Sequence, residues 1–153
     1  MENTTNTILY SKNADEVLFP GSTVKIMTCL LALENTQLTD EVTMTASGVS
    51  GVTDGGASIS SQVDEVFTVE QCLYAIMVAS ANDIALQIAE HVGGSVDGFV
   101  QQMNTRAQEL GCTNTVFTNP TGLPDDNQHT TAHDMALIMQ AAIQNESFRT
   151  IAA

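Results

Sequence analysis

The apolar positions of this chain fall into helix-length blocks, and the most continuous block lies near its beginning. From position 22 to position 33 the pattern is helical, with apolar residues at Val24, Ile26, Met27, Cys29, Leu30, Leu31 and Leu33. These positions cover every side of a helix, and a helix that is apolar all round belongs inside a domain. We therefore predict that residues 22–33 form a central, buried helix.

Four further helices are predicted from amphipathic patterns and from their start and stop signals. Thr68 and Gln71 form a capping box, and glycines follow the second and third of these helices. The predicted helices cover residues 68–78, 84–90, 95–110 and 131–143. Between them, the polar segment 80–83 interrupts the helical pattern, and residues 112–130 are predicted to form a long ordered loop.

Few segments have the pattern of a strand. Residues 7–10 and 17–19 are short apolar runs bounded by polar turns, and both are predicted strands. The Gly- and Ser-rich segment 46–64 is predicted to be a loop or an irregular hairpin. A lone pair of strands is not stable by itself, so these strands require sheet partners. The expected fold class is α+β, with a helical subdomain and an incomplete antiparallel sheet.

Composition and charge narrow the function classes. The 153 residues suffice for one domain, and 43% of them are apolar, which excludes global disorder. The net charge is −14, from 18 acidic residues against four Lys and Arg. This balance argues against a nucleic-acid partner and against an anionic membrane surface. No apolar run is long enough to span a bilayer, and Met1 leads directly into polar residues, so no signal peptide is expected in this chain.

The cysteines and histidines give weak signals. Cys29, Cys72 and Cys112 cannot all pair within one chain, and the first two lie in apolar runs that favour small buried side chains. His129 and His133 are four residues apart, but the predicted helix begins after His129, so a shared metal is disfavoured. We expect no metal and no cofactor.

The most informative spot is Ser22-Thr23-Val24-Lys25. Ser22 precedes the apolar helix, and Lys25 lies three residues on, so both side chains share one helix face. A lysine in an apolar helix loses hydration, which lowers its pKa and allows the neutral amine to take a proton from the serine. If the Ser-x-x-Lys pattern is considered alone, a structural role is the better interpretation: Ser22 caps the helix and Lys25 reaches out to water.

A second polar patch changes that balance. Ser80-Ala81-Asn82 lies between two helical runs, where by itself it would be only a helix cap. Together, Ser-x-x-Lys and Ser-x-Asn are the first two parts of the three-part signature of serine penicillin-binding proteins and class A β-lactamases.

With these motifs the chain resembles the low-molecular-mass serine D-alanyl-D-alanine carboxypeptidases, a family of penicillin-binding proteins in the β-lactamase/transpeptidase-like superfamily. The resemblance covers nearly the whole chain. Its landmarks are Leu-Tyr-Ser-Lys-Asn-Ala-Asp at 9–15, Pro-Gly-Ser-Thr-Val-Lys-Ile-Met-Thr at 20–28, Ser-Ala-Asn-Asp-Ile-Ala at 80–85, segments of 99–111, Asn-Pro-Thr-Gly-Leu at 119–123 and Thr-Thr-Ala-His-Asp-Met-Ala at 130–136.

The resemblance implies a role for each matching residue. Ser22 is expected to attack the terminal D-Ala-D-Ala bond and to carry the acyl group, with its backbone N–H as one oxyanion donor. Lys25 is the expected general base, Ser80 the expected proton relay to the leaving amine, and Asn82 the expected ligand of the substrate amide. β-Lactam antibiotics are expected to acylate Ser22 as well.

Two departures from the family pattern limit the prediction. The third motif, Lys-Thr-Gly, does not occur, because the only lysines are Lys12 and Lys25. Residues 1–153 are therefore expected to form a single partial carboxypeptidase domain that stops before the strand carrying that motif. In the family this motif binds the substrate carboxylate, and its strand supplies the second oxyanion donor, so activity of this chain alone is left open.

Two alternatives remain open at this point. A class A-like β-lactamase would want Asp at the position of Ala81 and a Glu in the loop at 112–130, which holds Asp125 and Asp126 but no Glu. A non-catalytic wall-binding module or inactive fragment would fit the absent third motif. Neither alternative explains Ser22, Lys25, Ser80 and Asn82 together as well as the carboxypeptidase does.

Partners and location follow from the resemblance. The expected substrate is a peptidoglycan stem peptide ending in D-Ala-D-Ala, and the expected location is extracytoplasmic, in the periplasm or at the outer face of a bacterial membrane. Unpaired strand edges predict self-association, because they offer free backbone hydrogen-bonding groups.

Overall fold

The elements of the fold are seven α-helices and one pair of short strands among residues 1–52 and 56–153, the residues that the computed structural model describes. The helices are α1 (Val24–Asn35), α2 (Ala46–Ser50), α3 (Val69–Ala79), α4 (Asn82–Gly93), α5 (Val96–Glu109), α6 (Ala132–Ala142) and α7 (Glu146–Ile151). The strands β1 (Glu41–Thr43) and β2 (Val66–Thr68) pair antiparallel, with Val42 opposite Phe67. A mixed, helix-dominated fold was predicted and is confirmed.

The α1 helix lies at the centre of the molecule, as its all-round apolar pattern predicts. It contacts α3, α4, α5, α6 and α7, and eight of its residues are buried. Val24, Met27 and Ala32 are fully inaccessible to solvent. The surrounding helices supply the rest of one continuous apolar core, which fixes α1, and anything attached to its first turn, against the neighbouring elements.

Side-chain caps define the helix starts that the sequence predicted. Thr68 accepts a hydrogen bond from Gln71 N, and the Gln71 side chain accepts one in return from Thr68 N, so the capping box before α3 is confirmed. Ser95 and Thr131 likewise cap α5 and α6. The fourth helix begins at Asn82, two residues earlier than predicted, and the short helices α2 and α7 were not predicted.

The predicted N-terminal strands are wrong. Residues 7–10 form no strand, and residues 17–19 form only an isolated bridge from Leu18 to Thr130. The physical reason is the lack of a partner: Leu9 and Tyr10 are more than 70% exposed, and no strand in the described part of the chain pairs with their backbone. Of the predicted loop 46–64, residues 46–50 form α2, and residues 53–55 lie outside the described residues.

The three cysteines are buried and free, and the expectation for Cys29 and Cys72 is confirmed. Burial raises the pKa of the Cys29 and Cys72 thiols to about 12, which makes them poor nucleophiles. None of the described helices combines the length and the apolar content that crossing a membrane requires.

Candidate active site

Ser22 stands at the entrance to the central helix. It lies in a single turn of 3₁₀ helix, Gly21–Thr23, so α1 itself begins two residues later than predicted. The Ser22 side chain is exposed, and its backbone N–H donates to no acceptor within the described part of the chain. An exposed serine side chain and an unpaired backbone N–H thus lie together at the positive end of a helix.

Lys25 lies in the first turn of α1 and is buried, with only 3% of its surface exposed. Its Nζ is 3.5 Å from Ser22 Oγ, 2.7 Å from Asn82 Oδ1 and 2.5 Å from the carbonyl oxygen of Thr121. These partners come from three separate segments of the chain. One amine therefore connects the start of α1, the start of α4 and the loop before α6.

Burial lowers the pKa of Lys25 from 10.5 to about 8, and the nearby Cys29 opposes part of that shift. A neutral amine has two N–H groups and one lone pair. When the amine is neutral, the oxygens of Asn82 and Thr121 accept its two N–H groups, and its lone pair is left to accept the proton of the Ser22 hydroxyl, 3.5 Å away. The geometry therefore suits an amine that accepts the serine proton.

Ser80 joins the site from the junction between α3 and α4. Its backbone is left-handed, with φ 54° and ψ 32°, which is uncommon for a residue with a side chain. In this conformation Ser80 Oγ comes within 3.1 Å of Ser22 Oγ. A hydrogen-bonded path thus runs from Lys25 through Ser22 to Ser80.

Asn82, the first residue of α4, is buried and faces Lys25 through its amide oxygen. In the described part of the chain, its Nδ2 has no protein hydrogen-bond acceptor. The amide nitrogen is therefore free to donate to a bound molecule. The structure brings together all four side chains that the sequence singled out, namely Ser22, Lys25, Ser80 and Asn82.

The carbonyl of Thr121 is a part of the site that sequence reasoning missed. Asn119 shapes the turn that presents it, because its Oδ1 accepts from Thr121 N, Thr121 Oγ1 and Gly122 N. Thr28 on α1 fastens the same turn by donating to Pro120 O at 2.8 Å. The segment 119–123 was noted as a family landmark, but a backbone acceptor leaves no side-chain signature in a sequence.

Gly122 allows this turn to lie directly on the nucleophile segment. Its φ is +81°, and a Cβ there would overlap the carbonyl oxygen of Gly21 and lie 2.9 Å from Ser22 N. Only glycine tolerates both the conformation and the approach. The position of Ser22 is thereby set from outside α1 as well as from within it.

The two histidines do not share a metal geometry. His129 precedes α6, as predicted, and its Nδ1 lies 2.9 Å from the Asn127 carbonyl oxygen. His133 faces Asp15 at 3.6 Å. Within residues 1–52 and 56–153, no three His, Cys, Asp or Glu side chains are grouped so that they could hold a metal ion.

We predict that Gly122→Ala is markedly more destabilising than Gly111→Ala. Both glycines have positive φ, so each substitution costs about 1 kcal/mol in backbone conformation. The Cβ at position 111 meets open space, whereas the one at 122 displaces Gly21 and Ser22, for about 1–3 kcal/mol more. Urea unfolding of the two variants measures the difference, and equal stabilities would contradict the close approach.

Comparison with known proteins places this site in a family. The sequence profile of the D-alanyl-D-alanine carboxypeptidases, peptidase family S11, matches residues 1–152. The D-alanyl-D-alanine carboxypeptidase DacF of Bacillus subtilis is 38% identical in an alignment 152 residues long, which covers 96% of this chain and 38% of that protein. A D-alanyl-D-alanine carboxypeptidase of Streptomyces strain K15 is 34% identical in a gapped alignment 160 positions long, which covers 99% of this chain and 55% of that protein.

Solved structures show the same relation in three dimensions. The Streptomyces K15 DD-transpeptidase superposes with a TM-score of 0.93 at 34% identity, covering 99% of this chain and 61% of that one. The D-alanyl-D-alanine carboxypeptidase DacD of Francisella tularensis gives 0.89 at 34% identity, covering 96% and 37%. The chain thus spans roughly two fifths to three fifths of the proteins it matches. Family profile, relatives and fold agree, and the chain belongs to the D-alanyl-D-alanine carboxypeptidase family.

Proposed function

We propose that this chain carries the acylating half of a serine D-alanyl-D-alanine carboxypeptidase, with Ser22 as nucleophile and Lys25 as general base. The observation that carries the proposal is the placement of the buried Lys25 amine. Its Nζ donates hydrogen bonds to Asn82 and Thr121, and its third neighbour is Ser22 Oγ. Nucleophile and base within hydrogen-bond reach, with the base oriented by further groups, is the arrangement that serine acyl transfer requires.

Acylation would proceed in four linked changes. The Ser22 hydroxyl proton moves to Lys25 Nζ while Ser22 Oγ bonds to the carbonyl carbon of the penultimate D-Ala. The negative charge that develops on the carbonyl oxygen is stabilised by the backbone N–H of Ser22. Lys25 then gives up its added proton by way of the Ser80 hydroxyl, which accepts that proton and donates its own to the nitrogen of the terminal D-Ala. The C–N bond breaks, free D-Ala leaves, and an ester on Ser22 remains for water to hydrolyse.

The proposed substrate is a peptidoglycan stem peptide ending in D-Ala-D-Ala. Asn82 would donate from its free Nδ2 to a carbonyl of the peptide, while its Oδ1 stays on Lys25. A β-lactam antibiotic presents a strained amide to the same groups, so Ser22 would be acylated by it as well. The enzyme would act where its substrate lies, outside the cytoplasmic membrane.

Residues 1–153 would form one partial domain whose surface is completed by other strands. Ile8, Leu9, Tyr10 and Phe19 are each more than half exposed, which is a large apolar area for one short segment. The chain by itself would therefore self-associate through its unpaired sheet edges, as predicted, with these exposed apolar residues adding to the surface that is buried. Light scattering over a concentration series tests this, and a monomer at every concentration would contradict it.

We predict that incubation with penicillin adds one covalent adduct to the chain. The adduct mass is read from the intact protein, and it is absent from Ser22→Ala. The control is Ser95→Ala, which removes another serine at a helix start that is not among the hydrogen-bond partners of Lys25, and retains the adduct. A folded wild-type chain without an adduct would favour a non-catalytic module. Rapid release of hydrolysed antibiotic would favour a β-lactamase.

We also predict that the rate of acylation rises with pH to a midpoint near 8. Lys25 takes the serine proton only when it is neutral, and burial places its pKa at about 8. Below that value the rate should fall about tenfold per pH unit. Stopped-flow measurement with a fluorescent penicillin gives the profile. A flat profile between pH 6 and pH 9 would contradict the assignment of Lys25 as base.

The matched variant is Lys25→Arg, which keeps a positive charge but cannot be deprotonated at these pH values. Its acylation rate should be about 10²–10⁴-fold lower at pH 9, the range that general base catalysis contributes. An arginine variant that retains the wild-type rate would show that charge alone, rather than proton transfer, is what position 25 supplies.

A further inference from the structure

The carboxylate of Asp83, directly after Asn82, is buried without a cation. It is 1% exposed, and within the described residues it takes part in no ion pair. Its oxygens accept four hydrogen bonds from the segment 58–61. The donors are Ser58 Oγ at 2.7 Å, Ser61 Oγ at 2.7 Å, Ser61 N at 3.1 Å and Ile59 N at 3.4 Å.

These bonds hold a loop against the start of α4. One residue upstream, Asn82 N donates to Ala57 O at 2.8 Å, so two consecutive residues of α4 are fastened to the segment 57–61. The helix has no side-chain cap at Ala81, its N-cap residue. Burial acts to raise the pKa of Asp83, and the bonds from Ser61 and Ser58 outweigh it, so its pKa lies below the ordinary value.

The same junction contains the strained residue Ser80. A left-handed backbone at a non-glycine residue is strained and persists only where the surroundings impose it. On the upstream side, Ala81 N donates to Ala75 O at the end of α3. On the downstream side, the junction is held by the bonds of Asn82 and Asp83 to the segment 57–61.

We propose that Asp83 is a positioning residue of the active site, which fastens the segment 58–61 to α4 and thereby fixes Ser80 and Asn82 against Ser22 and Lys25. Among the described residues, no hydrogen bond joins the Asp83 side chain to Ser22 or Lys25, so it acts through the backbone of Ser80-Ala81-Asn82. The consequence for catalysis rests on the proposed function, while the consequence for the geometry of Asn82 does not. We call the hydrogen bonds between Asp83 and residues 58–61 the clamp. Without the clamp, Ser80 is free to relax from its left-handed conformation, which would withdraw its hydroxyl from Ser22.

The test compares Asp83→Asn with Asp134→Asn. Asp134 is also 1% exposed, lies in the first turn of a helix and accepts bonds from a loop, namely from Asn114 N and Thr115 Oγ1. Within the described part of the chain, no hydrogen bond joins it to any of the four site residues. The two variants therefore match in the loss of a buried carboxylate and differ in whether that carboxylate adjoins the second motif.

Two readouts are measured, acylation by a fluorescent penicillin and hydrogen exchange of the Asn82 backbone amide by NMR. In Asp83→Asn we expect acylation at least tenfold slower, because small misplacements of catalytic groups are costly. We also expect exchange of Asn82 at least tenfold faster, relative to the amide of Ile88 in the same helix. In Asp134→Asn both quantities should stay within about threefold of wild type.

Several results would overturn the proposal. Wild-type exchange of Asn82 in a folded Asp83→Asn variant would do so, and so would equal losses in both variants, which would indicate a general loss of packing. If Asp83→Asn does not fold, Ser61→Ala removes one donor from the clamp and should accelerate Asn82 exchange selectively; unchanged exchange then refutes the clamp. Absence of acylation in wild type would refute the proposed function, while Asn82 exchange would still decide whether Asp83 positions the junction.

Discussion

The site depends on keeping one lysine amine out of water. Lys25 is placed in the first turn of a helix that is apolar on every side, so its side chain is buried and its Nζ finds its hydrogen-bond partners inside the protein. Desolvation disfavours the ammonium, and two fixed oxygens of Asn82 and Thr121 receive the N–H groups. The opposing effects leave an amine that can gain and lose a proton near neutral pH.

The rest of the fold can be understood as the means of holding those oxygens in place. The 119–122 turn is fixed by Asn119 from within and by Thr28 from α1, and Gly122 lets it contact the backbone at Gly21. The start of α4 is fixed by the buried carboxylate of Asp83. The acceptors of the Lys25 amine are neutral amide and carbonyl oxygens. A carboxylate in their place would favour the charged ammonium, so the neutral acceptors suit a base better than a structural ion pair.

Much of the fold could be predicted from local sequence patterns. The features that could not be predicted have one cause in common, because each depends on residues far apart in the sequence. The capping box at Thr68 and the apolar pattern of α1 are properties of contiguous residues, and both were read correctly. The prediction of N-terminal strands was wrong because an extended segment becomes a strand only when another strand pairs with it. The four site side chains were predictable from two short motifs, but the Thr121 carbonyl and the left-handed Ser80 were not, since each is a backbone feature produced by tertiary contacts.

The most direct test of this account is an NMR titration of Lys25. The chain has two lysines, Lys12 and Lys25, so labelling the lysine side chains with ¹³C gives two Cε signals, which Lys12→Arg assigns. The buried amine should titrate with a midpoint near pH 8 in the folded protein. A midpoint near 10.5, the ordinary value for a lysine, would show that water reaches the amine and would contradict the central claim.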